Sequence, residues 1–92
     1  MNEDEIAALT TERGEVYGSP GQDFVRIKRM HAAWKENHRP LLAPADEDIL
    51  DHAIYMICVK LSRLAHSGTH KDSWDDIQGY ADCAKQALGL AQ

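Results

Sequence analysis

No two cysteines in this sequence are spaced to grip a metal or close a short loop. The two present, Cys58 and Cys83, stand apart in apolar stretches and read as reduced, buried thiols. Long apolar runs are missing as well. The longest, Ala53 to Val59, covers seven residues, far fewer than a bilayer span requires. The opening MNEDEIAALTTERG is acidic and has no hydrophobic signal region, so a cytoplasmic protein with no membrane role is expected. Positive charge is in the minority, with ten Lys and Arg against fifteen Asp and Glu and a net charge of −5. Such a surface repels phosphate backbones, which excludes general nucleic-acid binding and leaves room only for a local basic pocket. The sequence holds no Walker loop, no dinucleotide fingerprint and no Ser-His-Asp order. Strand-like alternation and internal repeats are absent too.

What is there is 92 residues, 43% hydrophobic and 27% charged. That length allows one globular domain over residues 1–92, with a thin intramolecular core. Helical periodicity recurs four times. The first helix is predicted from about Glu3 to Arg13, with Ile6 and Leu9 on a narrow stripe and Gly14 as its stop. A turn-rich joint, Gly14 to Gly21, follows. The second helix is predicted over Gln22–Asn37, capped by Ser19 or Asp23, with Phe24, Ile27, Met30 and Trp34 on one face. It ends before Pro40, because the residue preceding a proline resists helical geometry.

The third helix is predicted from about Asp46 to His66. Its acids Asp46, Glu47 and Asp48 suit a helix N-terminus. Leu50, Ala53, Ile54, Ile57, Leu61 and Leu64 form a broad apolar face, and Met56 and Val59 a second one. A helix apolar on two sides calls for partners on two sides. The fourth helix is predicted to start at Asp72 or Ser73 and to run to about Leu88. Gly79 inside it costs about 1 kcal/mol relative to alanine, which suggests a close approach by a helix or ligand. The expected architecture is an all-α bundle of about four helices, completed by homo-oligomerisation.

Four constellations bear on chemistry. Glu47-Asp48-x-x-Asp51 and Asp72-x-x-Asp75-Asp76 are acidic clusters of the kind that hold Mg²⁺ through oxygen ligands. Both also sit in first helical turns, where the macrodipole alone favours acids. Lys60 and Arg63, three apart, suit a phosphate or a carboxylate, and would equally serve as surface cations. Tyr17, Trp74 and Tyr80 are stacking candidates, with core packing the simpler role for Trp74. His66 and His70 flank a turn without further zinc ligands nearby and read as loop residues.

The strings Thr11-Glu-Arg13-Gly14-Glu-Val-Tyr17-Gly18, Lys60-Leu-Ser-Arg63-Leu64 and Asp72-Ser-Trp74-Asp-Asp76-Ile-Gln-Gly79-Tyr80-Ala81 resemble a family of small phage and prophage domains of unknown function. The likeness covers about residues 10–85. That family is similar, more distantly, to all-α nucleoside-triphosphate pyrophosphatases of the MazG and dUTPase type. Here Glu47, Asp51 and Asp72-x-x-Asp75 match their metal-binding pattern by charge type, with Asp76 the family-like acid. The resemblance implies a phage-type nucleotide-binding protein acting on a small nucleotide. Arg13, Lys60 and Arg63 would hold the phosphate, and Tyr17 or Tyr80 would stack on the base. Were it a pyrophosphohydrolase, Glu47, Asp51, Asp72 and Asp76 would hold Mg²⁺. The alternative is a non-catalytic phage product: an inhibitor of a host protein or a sponge for a signalling nucleotide.

Overall fold

The computed structural model of the protein describes residues 19–90. Three helices are packed there: α1 (Pro20–Asn37), α2 (Pro44–His66) and α3 (Lys71–Ala87), with no strand among the described residues. They are the second, third and fourth predicted helices. The first predicted helix, together with Arg13 and Tyr17, lies outside the described residues.

Local chemistry sets the helix ends. The extended backbone of Ser19 turns its hydroxyl to accept from the Gln22 N–H at 3.3 Å, and Pro20 supplies a preset φ in the first turn. α2 opens with Pro44 and has no side-chain cap; Asp46 and Glu47 complement its dipole instead. α3 begins one residue before the predicted Asp72 or Ser73, and its N-cap is His70. Ser73 does not cap because its side chain turns inward, 1% exposed, and shares a 2.7 Å hydrogen bond with His70 Nδ1.

α2 is the central element. It packs against α1 on one side and α3 on another, while α1 and α3 do not touch. Both neighbours run antiparallel to it. Asp23 and Arg26 at the start of α1 meet Ser62 near the end of α2. At the other end, His38 meets Glu47. The predicted two-sided helix therefore has its two partners, but the seams between them are polar. Among the described residues only Ile27 and Cys58 are buried apolar groups, beside buried Lys60, Ser62 and Ser73.

Three expectations are corrected. Cys83 is exposed, because its position on α3 lines an open groove rather than a core; only Cys58 is a buried thiol, and burial raises its pKa. Phe24 is 71% exposed, since the polar contact of Asp23 and Arg26 with Ser62 turns it to the edge of the α1–α2 seam. Nothing approaches Gly79: a Cβ built there meets no atom within 4 Å. Gly79→Ala should therefore raise the unfolding free energy by about 1 kcal/mol in denaturant titration. A destabilised variant would contradict the open space at that position.

Candidate functional site

The face of α2 that meets α3 carries Ile49, Ala53 and Met56, and the same helical spacing continues to Lys60 and Arg63. The facing side of α3 carries Asp76, then Tyr80, then Ala84 and Ala87. Tyr80, Met56 and Ala53 line an apolar groove of about 200 Å³. One turn beyond Met56 and Tyr80, Lys60 Nζ donates to Asp76 Oδ2 at 2.7 Å. The groove thus ends in a charged cluster.

In that cluster the lysine is the buried partner. Its side chain is 10% exposed, whereas that of Asp76 is 47% exposed. The Lys60 hydrogen bond holds the Asp76 carboxyl below the ordinary carboxylate range, and the charges of Lys60, Arg63 and His70 add to that. Asp76 therefore pairs with Lys60 and lies within the electrostatic reach of Arg63 and His70. Trp74 stands at the same end, over the α2–α3 turn, with Nε1 donating to the Gly68 carbonyl at 2.9 Å. Its ring is 54% exposed, so core packing is not its role.

The other seam holds the remaining predicted acids. His31 Nε2 lies 2.9 Å from Asp51 Oδ1, and Lys35 Nζ is 3.8 Å from the same oxygen. His38 Nε2 lies 2.6 Å from Glu47 Oε2, and the Leu42 N–H donates to Glu47 Oε1 at 2.8 Å. The His38 bond first, and the Leu42 N–H second, hold the Glu47 carboxyl below its ordinary value. The rings of His31, Trp34 and His38 stack along α1, with centroids 6.4 and 4.4 Å apart.

Of the predicted site residues, the structure brings Lys60, Arg63 and Asp76 together and places Tyr80 one turn away. It does not gather the four acids in one chain. Glu47 and Asp51 engage α1, Asp76 engages Lys60, and Asp72 is exposed in the first turn of α3. Among the described residues no three His, Cys, Asp or Glu side chains converge as a metal ion requires. The sequence reading missed the pairing of Lys60 with Asp76 and the place of His70 beside it. It also missed the histidine latches of the α1–α2 seam. Their signal was present in the spacing: His31 and His38 are seven apart, and Glu47 and Asp51 four apart.

Comparison with known proteins places this geometry in context. A family model described as a domain of unknown function (DUF6378) matches residues 3–88. The Gene 55 protein of Mycobacterium phage D29 is 31% identical over 75 residues, which is 82% of this chain and 44% of that protein. The chain thus spans less than half the length of the curated relative it matches. No solved structure matches significantly. No helix among the described residues is long and apolar enough to cross a membrane.

Proposed function

We propose that this chain, which belongs to the DUF6378 family of domains of unknown function, is a phage-type nucleotide-binding protein that holds a phosphate at the head of the α2–α3 groove. The observation that carries the reading is the buried Lys60 ammonium on Asp76, with Arg63 and His70 within electrostatic reach, beyond the end of an apolar groove lined by Tyr80. In a chain of net charge −5 this is a local cationic centre. Arg63 offers a planar fork and Lys60 a point charge, a pairing suited to phosphate oxygens. Tyr80 and Met56 offer an apolar wall for a base. Asp76 is the counter-charge of the buried ammonium, and an incoming phosphate shares or replaces it.

Within one chain Glu47, Asp51, Asp72 and Asp76 do not form a Mg²⁺ site, so no catalytic step is routed through that metal. The test is a thermal-shift panel of nucleoside mono-, di- and triphosphates and cyclic nucleotides, each with and without Mg²⁺. The expected result is a rise in the unfolding midpoint that needs no metal, with the nucleotide recovered intact. A shift found only with Mg²⁺ and accompanied by turnover would overturn this in favour of a pyrophosphohydrolase.

The second reading, a non-catalytic phage inhibitor of a host protein, draws on Leu41 and Leu42, adjacent and 77% and 46% exposed in the α1–α2 loop. It takes over if no nucleotide shifts the midpoint.

A further inference from the structure

A third side of α2, between those that carry its polar contacts to α1 and to α3, is apolar and half-buried. Leu50, Ile54, Ile57, Leu61 and Leu64 follow one another at spacings of four, three, four and three. That is the a/d alternation of a coiled-coil seam. The residues that meet α1 (Glu47, Asp51, Ser62) and α3 (Lys60) lie on other faces at about 100° per residue. None of the five aliphatics is buried, and Leu61 is 40% exposed. The stripe spans roughly 21 Å at 1.5 Å per residue.

We infer that this stripe is the interface with a second copy of the chain, pairing α2 with α2 antiparallel across a twofold axis at Ile57. Three observations select that occupant. A 4-3-4-3 stripe takes the knobs of a helix with the same repeat, and α2 itself supplies one. Residues 1–18 hold only Ile6 and Leu9 as large aliphatics on a helical stripe, too few to meet five. α2 is also polarised along its length, with Asp46 and Glu47 in its first turn and Arg63 and His66 in its last. Antiparallel pairing sets each acidic end beside the partner's basic end and opposes the two helix dipoles. Parallel pairing would juxtapose like charges. The register follows from symmetry about residue 57: Ile57 meets Ile57 of the partner subunit, and Leu50 meets Leu64 of the partner subunit.

This inference is tested without ligand, so its failure is distinguishable from a failure of the nucleotide reading, although Arg63 enters both. Light scattering on the full chain should give twice the 10.3 kDa chain mass, and Ile57→Asp should give the single-chain mass. Single cysteines in a Cys58→Ala, Cys83→Ser background test the geometry even if Ile57→Asp fails to fold. Ile57→Cys chains should cross-link to themselves on mild oxidation. Leu50→Cys chains should cross-link to Leu64→Cys chains and not to one another. A monomeric wild-type chain at tens of micromolar would overturn the proposal, including the case in which residues 1–18 occupy the stripe. So would Leu50→Cys self-pairing, which signals a parallel register.

Discussion

Asp76→Ala lowers the unfolding midpoint on the order of 10 °C, while Lys60→Met leaves it within a few degrees of wild type. The asymmetry follows from which partner is buried. Removing the half-exposed carboxylate strands the ammonium of Lys60, 10% exposed, without its counter-charge. Removing the ammonium instead leaves Asp76 free to rehydrate, and methionine refills the space of the lysine stem with apolar atoms of similar length. The solvent around Asp76 keeps the loss smaller than in a fully enclosed pair. The same contact sets an acid limit. The folded-state carboxyl is depressed by Lys60, so its contribution is complete above the unfolded carboxylate value and disappears as the pH falls through the folded one. Circular dichroism melts of both variants between pH 7 and pH 3 check this. Equal losses at neutral pH would mean that Lys60 is not held in a dry site.

Ser62→Ala destabilises the protein by about 1–3 kcal/mol although it removes a single oxygen. Ser62 has no exposed surface. Its hydroxyl donates to Asp23 Oδ1 and accepts from Arg26 Nη1 at 3.1 Å, while its carbonyl accepts from the same nitrogen at 2.9 Å. Alanine keeps the carbonyl contact and strands the carboxylate of Asp23 in the α1–α2 seam. Ser62→Leu is worse, because the seam closes tightly around a side chain of two heavy atoms and the added carbons have no space. Chemical denaturation of the two variants reads both effects. A neutral Ser62→Ala would show that Asp23 and Arg26 find other partners and that this seam is held by something else.

Both predictions arise from polar side chains in places where an apolar core was expected. That is also where sequence reading met its limit. The helices were legible: Ser19 and Pro20 fix the start of α1, Pro40 the region of its end, and the 3.6 period carries all three. The place of Lys60 and Arg63 beyond one end of a groove was partly legible, since their spacing puts both on the side of α2 that carries Met56. Their partner was not, because Asp76 is one of three nearby acids and only the docking of α3 selects it. Gly79 misled, as a glycine inside a helix signals a close approach only when something is there. The face of Leu50, Ile54, Ile57, Leu61 and Leu64 misled differently. Periodicity locates an apolar stripe and cannot say whether its partner lies in the same chain, and it does not show the serine, histidine and lysine contacts that also hold α2 to its neighbours.

The central claim is a phosphate held by Lys60 at the head of the α2–α3 groove. Calorimetric titration of a nucleoside triphosphate into wild-type protein and the Lys60→Met variant, with a chelator in the buffer, tests it most directly. One metal-independent site per chain is expected in the wild type, with at least a tenfold loss of affinity, about 1.4 kcal/mol, in a variant that remains folded. Equal affinity in the two proteins, or no heat in either, would contradict it.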